Sequence, residues 1–347
     1  MKAKVGIIGV TGYAGEELLR LLASHPGVTI ESLMSKSYAG ADIASLYGSY
    51  AAKSLPALEE VNVSKIAAQC DVVFTALPHG ASIEIVPGLL ENGVKVVDLS
   101  GDFRYDDKQT YEQWYGILHD QESILQEAVY GLPELYRSKI KESRIVANPG
   151  CYTTTSILAL YPLLANGLID PCGIIIDAKS GTSGAGRKAK VDFGFCEVNN
   201  NFKAYGVTTH RHTSEIEQEL SKAAGTKLLL SFTPHLLPVN RGIFATCYAA
   251  LADGATDEAI ARAYSDAFGE EPFTHVLSCG SLPELKHVCG SNNCMIGFKT
   301  DRRLNRIIVV SCTDNLIKGA AGQAIQNMNL MFGFEETCGL PRISDYL

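Results

Sequence analysis

The chain opens on an unbroken apolar run, "KVGIIGV", without the alternation of a half-exposed strand. That pattern predicts a central parallel strand buried on both faces. "GVTGYAG" then places Gly9, Gly12 and Gly15, and "EELLRLLASH" continues with Leu18, Leu19, Leu21 and Leu22 along one helix. Further strand-like runs follow at "VTIESLM", "DVVFTAL" and "VKVVDLS", separated by helical stretches such as "SIEIVPGLLENG". The βαβ order predicts a parallel sheet, with ligands bound at the carboxyl ends of its strands. Later come the apolar helix face "ILALYPLL", the strand "GIIIDAK" and a long helix in "TDNLIKGAAGQAIQNMNLMFG". In that last helix Gly319, Ala320, Ala321 and Gly322 permit close backbone packing.

At 347 residues the chain exceeds one typical core, so two domains are expected. Its 46% hydrophobic and 20% charged residues are ordinary for a globular protein. A net charge of -8 argues against a nucleic-acid binder, which needs a basic face, yet leaves room for a local cationic pocket. No apolar run reaches the ~18 residues of a membrane span, so no membrane partner is expected. The opening residues run straight into a strand and a glycine turn and are not read as a signal peptide. With ten scattered cysteines, this predicts free thiols in the cytoplasm.

The glycine spacing is G-x-x-G-x-x-G, a variant of the dinucleotide fingerprint, between a strand and a helix. Such a turn lets a pyrophosphate approach the free N–H groups of the helix start. The other strand ends carry Ser35-Lys36, Leu77-Pro78-His79-Gly80 and Ser100 to Arg104. Glu31 stands near the distance of an NAD-type acid but falls inside the second strand, while Ser35 and Lys36 suit a 2′-phosphate, so NADP is favoured. Arg104 has two readings, a bidentate phosphate ligand or a surface ion pair with Asp106 or Asp107.

"RIVANPGCYTTTS" puts Cys151 behind Asn148, Pro149 and Gly150. With Asn148 as N-cap and Pro149 at N1, Cys151 falls at N3, where the helix dipole favours thiolate. A packed core cysteine is the alternative, and local sequence leaves both open. A thiolate needs a proton-transfer partner, and "VTTHRHTSEIEQEL" offers His210 and His212 before a helix with a capping-box pattern at Ser214 and Glu217. In an extended segment the two would point to opposite sides, so one of them is expected to face a shared pocket. No zinc-like ligand spacing completes His210-x-His212, and Cys289, Cys294, His287 and His275 match poorly, so no metal is expected. "DAKSGTSGAGRKA" reads as an anion or nicotinamide pocket or as a flexible loop. Asn315 reads as a helix cap or a donor to a ligand amide.

The segments "GVTGYAGEELLRLL", "ALPHG", "VDLSGDFR", "YEQWYG", "AVYGLPEL", "ANPGCY", "KSGTSGAGR", "HRHTSEIEQ", "PHLLPVNRGI" and "DNLIKGAAGQAIQNMN" run in order over nearly the whole chain. Together they resemble the N-acetyl-gamma-glutamyl-phosphate reductases, the arginine-pathway branch of the aspartate-semialdehyde dehydrogenase superfamily. Ser214 departs from the proline expected after "HRHT" and lies at the helix cap. The resemblance implies an α/β protein: a Rossmann-type doubly wound parallel sheet domain (residues 1–149 and 313–347), then an α+β catalytic and dimerisation domain with a mixed sheet (150–312). It implies NADPH-dependent reduction of a small-molecule acyl phosphate to an aldehyde through a Cys151 thioester, in a homotetramer or homodimer. His210 is then the acid–base partner with His212 in reserve, and Arg104 resembles the arginine that holds the leaving phosphate. Arg187 or Arg211 is expected on a substrate carboxylate or phosphate, with Asn148 nearby. Cofactor contacts are expected from Gly9, Thr11, Gly12, Tyr13, Ala14, Gly15, Ser35, Lys36, Leu77, Pro78, His79, Ser180, Gly181, Gly184 and Asn315. The rival readings are N-acetyl-aminoadipyl-phosphate reduction in lysine synthesis and a noncatalytic cofactor-binding homologue.

Overall fold

A computed structural model describes residues 2–345 and divides the chain into two compact units. The first comprises residues 1–149 and 320–340, the second residues 150–319 and 341–347. The chain therefore returns at residue 320, later than the expected 313. Two contacts keep 314–319 with the second unit: Asp314 accepts Gly290 N–H at 2.8 Å, and Gly319 packs on Cys151.

The first unit holds a seven-stranded sheet. Its strands are β1 (Ala3–Ile8), β2 (Val28–Met34), β3 (Leu58–Glu59), β4 (Val72–Thr75), β5 (Lys95–Asp98), β6 (Val129–Tyr130) and β7 (Ile145–Ala147). Their order is β3-β2-β1-β4-β5-β7-β6, and every neighbouring pair is parallel. As the apolar run predicts, Val5, Ile7 and Ile8 of central β1 are fully buried. The helix Tyr13–Leu22 buries all four of its predicted leucines. Glu31 lies inside β2 and is exposed, and Ser35 directly follows that strand.

The second unit is built on a mixed sheet. It comprises β8 (Ile175–Gly181), β9 (Lys203–Ala204), β10 (Ser231–Leu237), β11 (Ile243–Ala250), β12 (Thr274–Val276), β13 (Cys294–Asp301) and β14 (Arg306–Thr313). The order is β12-β13-β14-β11-β8-β10-β9, with β8–β10 and β12–β13 parallel and the other pairs antiparallel. β11 alternates buried and half-buried positions, as a strand covered on one face must. The helix Cys151–Ala165 is buried all round, hydroxyl residues Thr153 to Ser156 included, from Tyr152 through Leu160 without a break. It packs against β11, β14 and the helices His212–Ala224 and Asp257–Phe268. Such a helix belongs inside a core, and its first residue is thereby held rigidly.

The predicted last helix is only partly regular. β14 runs through Thr313, Asp314 caps the turn by accepting Leu316 and Ile317 N–H, and a π-turn over Ile317–Ala321 precedes the helix Gly322–Phe332. Among the described residues no helix is long and apolar enough to cross a membrane.

Candidate active site

In the first unit the three glycines of the opening turn answer to different constraints. Gly9 has φ +87°, and a Cβ there would meet Ala76 O at 2.2 Å. A Cβ on Gly15 would meet Gly9 O at 2.3 Å, so close strand–helix contact requires glycine. Gly12 is the informative one. Its φ of −80° suits any residue, and a Cβ would have no protein atom closer than 3.6 Å. Neither backbone nor packing demands glycine there, whereas a pyrophosphate against the start of Tyr13–Leu22 would. At the adjoining strand end Thr11 Oγ1 and Ser35 Oγ lie 2.9 Å apart, with Lys36 exposed beside them. The residues present therefore fit a phosphorylated dinucleotide.

Leu77 is half-buried, while Pro78 and His79 are exposed. Arg104 is buried at 6% exposure and donates to Leu99 O at 3.1 Å, so it is not the surface group of the simpler reading. A Cβ on Gly101 (φ +98°) would stand 3.4 Å from Arg104 Nη1, 3.4 Å from His79 Nδ1 and 3.0 Å from Tyr115 Oη. Three polar side chains thus converge over one glycine, and sequence reading missed Tyr115. Asp102 anchors this corner by accepting Gly80 N–H, Ser82 N–H and Tyr111 O–H at 2.8 to 3.1 Å.

Asn148 is not the cap of the next helix. Its amide donates to Ala320 O and accepts from Asn327, partners more than 170 residues away in sequence. The N-cap is Gly150, so Cys151 is the first helical residue, not the third. The sulfur still stands in the first turn, where the helix dipole favours a negative charge.

Around Cys151 the second unit gathers both histidines. The rings of His210 and His212 are 4.8 Å apart, and each meets Tyr152 edge-on. The expectation that they diverge fails because the segment is not extended. Arg211 is helical (φ −58°, ψ −31°), and His212 opens the helix His212–Ala224. The predicted capping box is absent as well: Ser214 Oγ donates to Arg211 O, and Glu217 accepts Leu230 N–H.

His210 is enclosed by Tyr152, Tyr205 and Phe232. This burial, aided by neighbouring Arg211, lowers its pKa to about 4, so the imidazole is neutral near pH 7. Nδ1 accepts His212 N–H at 3.2 Å, which places the ring proton on Nε2. Tyr152 Oη lies 3.0 Å from Tyr205 Oη and donates to His235 O. The Tyr205 hydroxyl is pushed up to about 12, chiefly by burial, with the negative charge of a Cys151 thiolate adding to it.

Two glycines fit the surroundings of Cys151. A Cβ on Gly150 would stand 2.3 Å from His212 Nε2, and one on Gly319 would stand 2.7 Å from Cys151 Cβ. Glu215, fully buried, accepts Gly150 N–H at 3.0 Å, and sequence reading assigned it no role. "KSGTSGAGR" is built rather than loose. Gly181 N–H donates to Gly242 O, Ser183 Oγ donates to Asn240 O, and Asn315 links Ser183 Oγ to Gly242 N–H. Asn315 is therefore a latch within the unit, and Gly184 sits against Ser180 Oγ. Arg187 and Arg211 are exposed.

Two family models match the chain: the semialdehyde dehydrogenase NAD binding domain over residues 4–143, and the semialdehyde dehydrogenase dimerisation domain over residues 151–315. The N-acetyl-gamma-glutamyl-phosphate reductase of Pelotomaculum thermopropionicum is 51% identical over 340 residues, covering 98% of each chain. That of Acetivibrio thermocellus is 49% identical over 345 residues, covering 99% of this chain and 100% of the relative. Aspartate semialdehyde dehydrogenase II of Vibrio cholerae superposes with a TM-score of 0.72 at 19% identity, covering 96% of this chain and 99% of that one. The Candida albicans aspartate semialdehyde dehydrogenase with NADP gives 0.69 at 19%, with the same coverage. At that identity the two structures speak for the fold alone. Full-length identity of about half, together with the two family models that span residues 4–143 and 151–315, places the chain in the semialdehyde dehydrogenase family, in its N-acetyl-gamma-glutamyl-phosphate reductase branch.

Proposed function

We propose that the protein reduces N-acetyl-gamma-glutamyl phosphate to N-acetyl-glutamate 5-semialdehyde and phosphate with NADPH, as a step of arginine biosynthesis. The observation that carries the mechanism is Cys151 at the first turn of a buried helix, with a neutral, oriented His210 packed against the next residue, Tyr152.

The Cys151 thiolate attacks the acyl carbon, the C–S bond forms, and the C–O bond to phosphate breaks to leave a thioester. NADPH, when bound, supplies the hydride that reduces this thioester. The C–S bond then breaks, the aldehyde leaves and the thiolate returns; the proton consumed ends on phosphate. Both tetrahedral stages carry an oxyanion, and the Nε2–H of His210 is suited to donate to it. On this reading His210 acts as a donor, because its lone pair on Nδ1 already holds His212 N–H. His212, against Gly150, is the group in reserve. Arg104 is assigned to the phosphate, Arg187 or Arg211 to a substrate anion, and Ser180, Gly181, Gly184 and Asn315 to the cofactor side. The family model's dimerisation domain supports a homo-oligomer formed through residues 151–315.

The decisive assay runs the reaction backward, with N-acetyl-glutamate semialdehyde, phosphate and NADP⁺. A rate on the glutamyl substrate at least tenfold above that on the aminoadipyl analogue supports arginine synthesis; the reverse order assigns the lysine branch. One methylene is worth about 1–3 kcal/mol, enough for that ratio.

Two variants follow from the local geometry. Gly319→Ala places a methyl where Cys151 Cβ stands 2.7 Å away. Displacing the nucleophile by a fraction of an ångström should lower kcat by about 10- to 100-fold with NADPH binding intact. Lys36→Ala removes the cation beside Ser35 and should raise the KM for NADPH about 10- to 100-fold, leaving that for NADH unchanged, as measured by initial rates.

A further inference from the structure

Gly150, one residue before the nucleophile, is gripped from two sides by the first turn of a single helix. The His212 ring lies over its Cα, and the Glu215 carboxylate takes its N–H at 3.0 Å. The same oxygen, Oε1, lies 2.9 Å from Thr153 Oγ1, which also reaches Gly150 O at 2.6 Å. Glu215 is fully buried, and a carboxylate out of water is costly unless charged hydrogen bonds compensate. These two bonds go to the residues that bracket Cys151 and Tyr152, and Glu215 stands one turn after His212. One side chain thus ties the helix that carries the nucleophile to the helix that begins with a histidine.

We infer that Glu215 is a positioning residue, setting the distance between Cys151 and the His210–His212 pair through the Gly150 amide. The function is one of reach and acceptor geometry, so it depends on side-chain length more than on charge. The inference rests on the reading of Cys151 as nucleophile.

The reverse reaction of the full-length enzyme tests it with two variants of opposite character. Glu215→Asp keeps the charge and shortens the reach; Glu215→Gln keeps the length and an acceptor oxygen. Positioning predicts that Glu215→Asp loses kcat about 10- to 100-fold with KM within about threefold, and that Glu215→Gln recovers kcat to within about threefold of wild type. Loss in Glu215→Gln with retention in Glu215→Asp would assign the effect to charge and overturn the inference. Wild-type rates in both variants, or loss in both, would overturn it as well. Cys151→Ala, run alongside, separates the two readings: activity surviving there defeats the nucleophile, whereas activity that needs Cys151 but ignores Glu215 defeats positioning alone.

Discussion

Cys151→Ala should reduce turnover by at least about 10⁴-fold while leaving NADPH binding at wild-type affinity. Removing a nucleophile that forms the covalent intermediate abolishes the two-step path and leaves only what binding and oxyanion stabilisation provide. Binding survives because the glycine turn Gly9–Gly15 and the Thr11–Ser35 pair belong to the other compact unit. The helix should survive too. Cys151 is only partly buried, and alanine is a better helix former in the first turn. Fluorescence titration with NADPH and steady-state kinetics check both halves; near-wild-type turnover would defeat the mechanism.

The second large effect concerns His210. His210→Asn should lower kcat by about 10²- to 10³-fold, the range for losing a positioned oxyanion donor. His212→Asn should cost less, since His212 is the reserve group. His210 also makes a prediction about stability. Its pKa falls from an ordinary 6.5 to about 4 on folding, because burial penalises the imidazolium. Between those values the unfolded chain takes up a proton that the folded chain does not, so stability falls as pH drops from about 6.5 to about 4. The group's share, up to about 3 kcal/mol, is fully present above the unfolded pKa and is lost by the folded one. Denaturant melts across that window should therefore be less steep in pH for His210→Asn than for wild type. An identical slope in the two proteins would show that His210 is not held neutral by its aromatic enclosure.

What the sequence reveals and what it hides divides along physical lines. The parallel sheet was legible because a strand buried on both faces is an apolar run and its glycine turn is a local pattern. Asn148 misleads for the opposite reason. It is a strong cap former, yet its amide is taken by Asn327 and Ala320, which no local rule sees. The histidine pair misleads because the i, i+2 argument assumes extended backbone, while Arg211 is already helical. Glu215 stands in the matched segment "HRHTSEIEQ" but had no role assigned, since a glutamate beside other polar residues reads as surface until the fold buries it. The late helix was over-extended because Asp314, Asn315 and Gly319 look helix-compatible but serve the cap, the Ser183 latch and the Cys151 contact.

The central claim is a covalent acyl group on Cys151. Enzyme mixed with N-acetyl-gamma-glutamyl phosphate in the absence of NADPH, quenched in acid and analysed by intact-mass and peptide mass spectrometry, tests it directly. The account predicts about one phosphate released per active chain in a burst and an acyl adduct confined to the peptide bearing Cys151. Phosphate release without an adduct on that peptide, or an adduct on another residue, would contradict it.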